Sequence, residues 1–424
     1  MSPTVGYAGM THLGLCSAAA AAAKGFSVLA FDPDPALVAR LAARDLCVRE
    51  PQLVELLAVH GGRIAFTADP DTLRRCDLVY VAQDVATDAC GGSDLVAVSA
   101  LIKRVASAAR DDAVVVVLSQ VPPGFTRAHQ QADRPLYYQV ETLVFGRAVE
   151  RALSPERIII GSPDPAAPLP KAFAAFLAAF ACPVLPMRLE SAECAKIAVN
   201  CCLAASIATA DTLAELCERI GADWSEIAPA LRLDRRIGRF AYLTPGLGIA
   251  GGNIERDLAT VVSLSGEHGT EAGIIRAIVA NGRHRRDWPL RTLHAELLAR
   301  APDAEIAVLG LAYKENTDSV KNAPAVDLIR HLTRWPLRVY DPVVPVSAAP
   351  HPSVIAARSA LDAAAGADAL AIMTPWPEFR ELAPVALATI MRGKLVLDPY
   401  GVLDGGAAAD AGLDYRTLGR TRVC

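Results

Sequence analysis

The stretch "TVGYAGMTHLGL", Thr4 to Leu15, decides how the rest of the chain is read. An apolar run ends in Gly9 and passes through a turn to Gly14, where a helical pattern opens. A dinucleotide fold places its glycine turn here, after the first strand and at the start of the first helix. In the pattern GxGxxG the first glycine makes the tight turn, the second admits the pyrophosphate and the third lets helix and strand pack. Gly9 and Gly14 fill the first and third places, and Thr11 fills the second. A threonine narrows the approach to a phosphate, although its hydroxyl is able to donate to one. Further on, "FSVLAFD" ends a second apolar run in Asp32. A carboxylate at that distance accepts from both ribose hydroxyls and repels a 2′-phosphate, which favours NAD over NADP.

Outward from this turn the pattern repeats. "DLVYVAQ", a helix near 94–109 and "AVVVVLSQ" continue the alternation of apolar run and helix that feeds a parallel sheet. After "PERIIIGSP" come a helix from about 168, the short run "CPVLPM" and a long helical stretch from about Ser191 to Ile220, stopped by Gly221. More helix follows to about 300. The alternation then returns in "EIAVLGLAY", a helix over 324–333, "LRVYDP", "ADALAIMT" and "KLVLDP". The expected class is α/β: two Rossmann-like, doubly wound parallel-sheet domains joined by a long central helix and a helical middle domain. Their expected bounds are 1–185 for the NAD-binding domain, 186–298 for the central helical domain and 299–424 for a second α/β domain.

Composition agrees with that plan. The chain has 424 residues, 52% hydrophobic and 5% aromatic, a mixture suited to helices covering sheets. A net charge of −4 supplies no electrostatic footprint for nucleic acid or an anionic membrane. Ten cysteines form no CxxC pair, so neither a metal site nor a redox motif is expected, and reduced thiols fit a cytoplasmic protein. "SAAAAAAKG" reads as a helix with its C-cap rather than a signal segment, and no run of about twenty apolar residues lacks a charge or turn.

Two further segments carry chemistry. In the almost wholly apolar run 194–208, Lys196 and Asn200 stand four apart and hence on one helical face. There they present a charge and a hydrogen-bond donor to a reacting oxygen, or else a snorkelling lysine lies beside a satisfied asparagine. The loop "LTPGLGIAGGNIERDL", Leu243 to Leu258, gathers four glycines ahead of Asn253, a backbone fit to approach a ligand closely.

With these residues in view, the chain resembles the UDP-glucose/GDP-mannose dehydrogenase family, whose members oxidise C6 of a nucleotide sugar. The segments that carry the resemblance are "VLGLAYKENTDSVKNAPAVDLI" (308–329), "RVYDP", "MTPWPEF", "ECAKIAVN", "DRRIG" (234–238), "SQVPPGFT" (119–126) and "VETLVFGRAVERALSPERIIIG" (140–161), in the family's order. The resemblance implies that Lys196, Asn200 and Asp257 hold the reacting end of the sugar, with Glu141 beside them. Thr142, Leu143, Arg236, Tyr242, Leu243, Gly246, Gly248 and Lys314 would contact the rest of a UDP-sugar. Gly9, Thr11, His12, Leu13, Gly14 and Asp32 would hold NAD, together with Gln83, Val85, Gln120, Arg256 and Lys321. It further implies a homodimer through the helix at 191–220, with Arg236 reaching the neighbouring subunit's substrate.

One departure bears on the chemistry. The family has a cysteine at the position of Asn253, whose thiolate adds to the C6 aldehyde and allows a second hydride to leave. An amide is not nucleophilic. Nearby, the family's second glutamate is Phe145, a threonine is Gln120, a lysine is Arg256 and a late Arg-Asn pair is Tyr400-Gly401. Three readings stay open: one hydride transfer ending at the aldehyde, two transfers through a hydrated aldehyde, or a nucleotide-sugar and NAD-binding protein without catalysis. Oxidation at another sugar carbon is open as well.

Overall fold

A computed structural model of the chain describes residues 2–46, 48–88, 91–131 and 134–421. The chain divides into two compact units, Met1–Val199 and Asn200–Cys424, and the division falls within the helix Leu189–Ile220.

The first unit contains β1 (Thr4–Ala8), β2 (Ser27–Phe31), β3 (Ile64–Thr67), β4 (Leu78–Val81), a two-stranded ribbon of β5 (Ala86–Thr87) and β6 (Ser93–Asp94), β7 (Val114–Val117), β8 (Leu136–Gln139), β9 (Ile158–Ser162) and β10 (Val184–Arg188). The main sheet runs β10-β9-β8-β7-β4-β1-β2-β3. All its pairs are parallel except β8 with β9. From β3 to β8 this is the doubly wound order, with its reversal between β1 and β4.

The central strands β4 and β7 are apolar and buried at every position because both faces are covered. Val5, Tyr7, Leu78, Tyr80, Val114 and Val116 face one core, which the first helix (His12–Ala23) helps to fill. Ala8, Val79, Val81, Val115 and Val117 face the other, with Val98, Leu101, Ile102 and Val105 from the helix Val96–Ala108. The period of two thus sorts one run of valines into two layers.

The second unit contains β11 (Ile306–Leu309), β12 (Leu337–Tyr340), β13 (Val354–Ala356), β14 (Ala369–Ile372), β15 (Leu395–Leu397) and β16 (Asp414–Arg416). They form an all-parallel sheet in the order β13-β12-β11-β14-β15-β16, the same winding as the first. The likeness extends to detail. In the first sheet Gly9, at φ +94°, leaves β1 and Asp32 at the end of β2 accepts the Met10 N–H at 2.7 Å. In the second, Gly310, at φ +91°, leaves β11 and Asp341 at the end of β12 accepts the Leu311 and Ala312 N–H groups at 2.6 and 3.2 Å. Helices Trp224–Leu233, Asn253–His268, Gly273–Arg286 and Trp288–Leu293 precede this sheet in the chain.

Several elements differ from expectation. The helix expected from 168 begins at Lys171, because Pro168 and Pro170 hold the chain extended ahead of it. The long helix begins at Leu189, two residues early. The strands β8, β13 and β16 and the helix Leu53–His60 were not anticipated. By length and composition Leu189–Ile220 would suffice to cross a membrane. Part of its apolar surface packs on protein, through Leu189 and Ala192, then Ala204, then Ala210, Ala214 and Cys217 in successive clusters, while Leu213, Leu216 and Ile220 are exposed.

The tightest spot is Gly14. A Cβ there would lie 1.8 Å from the Gly9 carbonyl oxygen, so only glycine lets the first helix close on the turn. Gly14→Ala is expected to destabilise the chain by at least about 2 kcal/mol, read as a lowered urea midpoint with m unchanged. A midpoint equal to wild type would show that the helix shifts without strain.

Candidate functional site

In the first unit the cofactor-type residues gather at the ends of β1, β2 and β4. Thr11 is the N-cap residue of the first helix, and its hydroxyl accepts the Asp84 N–H at 2.9 Å. His12 Nε2 lies 2.9 Å from Glu50 Oε2, and the His12 ring stacks on Phe145 at 4.3 Å. Glu50 is buried and accepts the Gly146 and Ala148 N–H groups at 3.0 and 2.6 Å. Those bonds and His12 hold its carboxyl below the usual range against the opposing effect of burial. Gln83 packs on Gly9, its Cα 3.1 Å from where a Cβ of Gly9 would stand. Asp32 is 6% exposed, and its second oxygen accepts the Asp34 N–H at 3.0 Å. Leu13 and Gly14 are buried in the first turns of the helix, and Val85 is half-buried in the loop after β4. Gln120 is buried at the end of the loop after β7.

This cradle fits a dinucleotide. The turn brings backbone close to a ligand, the first helix has no acidic residue in its first turn, and each oxygen of Asp32 has a lone pair beyond its backbone bond.

Also in this unit, Lys196 Nζ lies 2.6 Å from Glu141 Oε1, both side chains nearly buried, and Glu141 Oε2 accepts the Leu143 N–H at 2.9 Å. The Thr142 carbonyl accepts from Arg151. One turn before Lys196 on the long helix, Glu193 is fully buried and accepts the Gly124 and Thr126 N–H groups at 2.6 and 2.8 Å. It ties the helix to the loop 119–126. Sequence reasoning passed over it, although an acid inside "ECAKIAVN" was a signal of the same kind as Lys196.

In the second unit the amide of Asn200 donates to Asp257 Oδ2 at 2.6 Å, and both residues are buried. Arg256, also buried, has Nε 3.6 Å from Asp257 Oδ1. The glycine loop is packed too closely for side chains. A Cβ on Gly248 would meet the Gly282 carbonyl at 2.3 Å, and one on Gly251 would meet the Tyr313 ring at 2.6 Å. Gly252 closes the loop at φ +92° as N-cap of the helix Asn253–His268, with the Lys321 stem against it. Asn253 is therefore an exposed side chain at a helix N-terminus.

Arg286 fastens the loop to the segment beyond. It reaches the Ile249 carbonyl, Glu255 at 2.9 Å and Asp327 at 3.2 Å, while Asn322 also donates to Glu255. Lys314 stands over the Tyr313 ring at 5.5 Å. At the other end of the loop the Leu243 carbonyl accepts from Trp224 Nε1 at 2.7 Å, and Gly246 N–H donates to Asp211 Oδ1 at 2.8 Å. Tyr242 is half exposed. Arg236 stands apart, its side chain 89% exposed and paired with Asp234.

Three models of one family match the chain in order: the NAD binding domain over residues 4–175, the central domain over 190–282 and the UDP binding domain over 307–405. This chain belongs to the UDP-glucose/GDP-mannose dehydrogenase family. It is 30% identical to the UDP-glucose 6-dehydrogenase TuaD of Bacillus subtilis, across 98% of this chain and 93% of the relative. Among solved structures it is similar to a UDP-glucose dehydrogenase from Pyrobaculum islandicum, with a TM-score of 0.86, 28% identity and coverage of 98% and 97%. A dehydrogenase from Pyrococcus horikoshii, at 24% identity and a TM-score of 0.84, shares the fold. Members of this family are NAD-dependent oxidoreductases acting on a CH–OH group of a nucleotide sugar, and NAD is the cofactor of this chain.

Asp211, absent from the sequence reading, shows how the glycine loop is held. Burial pushes its carboxyl up to about 6, with the Gly246 N–H and Arg285 opposing and Glu215 and Glu218 reinforcing the rise. A carboxyl raised from 3.8 is most favourable to the fold at low pH, and that contribution is lost as pH rises toward 6. Asp211→Asn should therefore gain stability relative to wild type between pH 4 and pH 7, by up to roughly 3 kcal/mol. Urea unfolding of both proteins at each pH measures it, and a pH-independent difference would contradict the assignment.

Proposed function

We propose that this chain oxidises a UDP-sugar such as UDP-glucose at C6, with NAD, and stops at the aldehyde. Asn253 carries the reading: the position from which a thiol would attack is an exposed amide at the start of a helix, and the sequence Leu243–Leu258 holds no other thiol. The UDP binding domain match and the relatives named for UDP-glucose support the substrate class.

The groups of the first step are retained. The C6–H bond breaks with its electron pair, and the hydroxyl proton leaves to a base. NAD, when bound, supplies the acceptor for the hydride. Asp257 takes the proton, and its bond from Asn200 holds the carboxylate in one orientation. Lys196 stabilises the alkoxide that develops on the oxygen, and Glu141 holds that ammonium in place. An aldehyde to which neither a thiol nor water has added has no tetrahedral C6 from which a second hydride could leave. The product leaves after two electrons.

We further propose a homodimer through the long helix. Leu213, Leu216 and Ile220 on it, with Leu233 and Phe240 beyond, are exposed large apolar side chains. Burying them against a second copy removes that face from water. It would also give Arg236 a neighbouring substrate to reach.

With UDP-glucose the expected yield is one NADH per sugar consumed, together with an aldehyde trapped by hydroxylamine. Two NADH and a carboxylate would sink the two-electron reading. No turnover with UDP-glucose, UDP-N-acetylhexosamines or GDP-mannose would sink catalysis altogether. Asn253→Cys should move the yield toward two, and Lys196→Met should lower kcat about 100-fold or more with NAD affinity unchanged.

A further inference from the structure

Asp84 lies in the loop that follows β4, between Gln83 and Val85. Its carboxylate accepts the Leu13 N–H at 3.2 Å, and its own N–H donates to Thr11 Oγ1 at 2.9 Å. Both partners belong to the N-terminal turn of the first helix.

The first N–H groups of a helix have no intrahelical acceptor and carry the positive end of its dipole. In a doubly wound fold they receive the pyrophosphate of the dinucleotide. Asp84 thus brings a negative charge to the place where two phosphates have to come. Thr11, standing where the fingerprint has its second glycine, holds the backbone of that acid against the turn. The field of Asp84 reaches further into the helix, because the buried Cys16 thiol is pushed up by burial and then by Glu50 and Asp84. Asp84 is exposed, so its side chain can turn outward into water. Asp32 is a different case: its bonds to Met10 and Asp34 hold it at the end of β2, where a bound dinucleotide would set its ribose and a carboxylate is wanted.

We propose that Asp84 is an internal competitor for the diphosphate of NAD, a carboxylate latched to the helix N-terminus that must leave before the cofactor seats. The proposal rests on NAD binding at this turn. It makes Asp84 a determinant of cofactor affinity that acts on the phosphates and leaves the adenosine half untouched.

Isothermal titration of the full chain with NAD and, separately, with adenosine tests it. Asp84→Asn removes the charge and keeps the shape, while Asp84→Ala removes the bond as well; thermal melts establish that each is folded. Both should bind NAD about tenfold more tightly than wild type, the scale of one charge withdrawn from a diphosphate at intermediate dielectric. Adenosine affinity should stay within about twofold, since no charge meets it. Equal NAD affinity in all three proteins, weaker binding in the variants, or an adenosine gain matching that of NAD would each overturn the proposal. Failure of wild type and both variants alike to bind NAD would overturn the cofactor site itself, a result distinct from equal binding.

Discussion

Backbone N–H groups at the turn after the first strand of each sheet need acceptors before any ligand arrives, and a carboxylate at the end of the second strand provides them. Asp32 does this for Met10, and Asp341 for Leu311 and Ala312. An unsatisfied buried N–H costs roughly 1–3 kcal/mol, so these bonds decide whether the turns hold their shape empty. The same constraint asks one thing of both sheets. Each needs its first two strands adjacent so that one acid can reach the other's turn. The second acid does more, since Asp341 also accepts from Val343, Val344 and Trp376 Nε1 and so gathers the loop beyond β12 and the segment beyond β14.

The long helix obeys a related rule. Glu193, Lys196 and Asn200 succeed one another along a mostly apolar run, and each has a partner: loop N–H groups, Glu141 and Asp257. Removing one member of such a pair leaves the other buried without compensation, at a cost of about 3–5 kcal/mol for an ion pair. The spacing of polar residues is thereby fixed by desolvation as well as by the chemistry they serve. Lys196 meets Glu141 with its own side chain, so no snorkelling to water is needed to explain it.

Much of the architecture was legible because parallel strands are apolar on both faces, and runs such as "AVVVVLSQ" announce themselves. The residues expected to carry chemistry at one strand end or one helix turn, Gly9, Gly14, Asp32, Lys196 and Asn200, stood out for the same local reason. What escaped depends on pairs far apart in sequence. Glu50 answers to Gly146 and Ala148, Asp211 to Gly246, and Arg286 to Ile249, Glu255 and Asp327. None of these acids or bases sits in a pattern of its own. Strand β8, LYYQ, carries a polar residue and an antiparallel pairing with β9, so it lacks the uniform apolar run that marks the strands around it.

Asn253 brings these constraints to bear on reaction course. A helix N-terminus lowers the pKa of a thiol placed there, because the dipole favours the anion. An amide has no anion to favour, so the field at this helix start does nothing for a nucleophile. Meanwhile the glycine loop keeps the close packing that such a helix start requires, through Gly248 on Gly282 and Gly251 on Tyr313. On the resemblance to the family, the loop presents an inert amide where a reactive thiol would stand. A loop that had lost its part in substrate handling would be under no need to hold positive φ at three glycines against Tyr313, Lys321 and the Gly282 carbonyl. On the proposal made above, this loop still receives the sugar, and an exposed amide at its end leaves out only the covalent half of the oxidation.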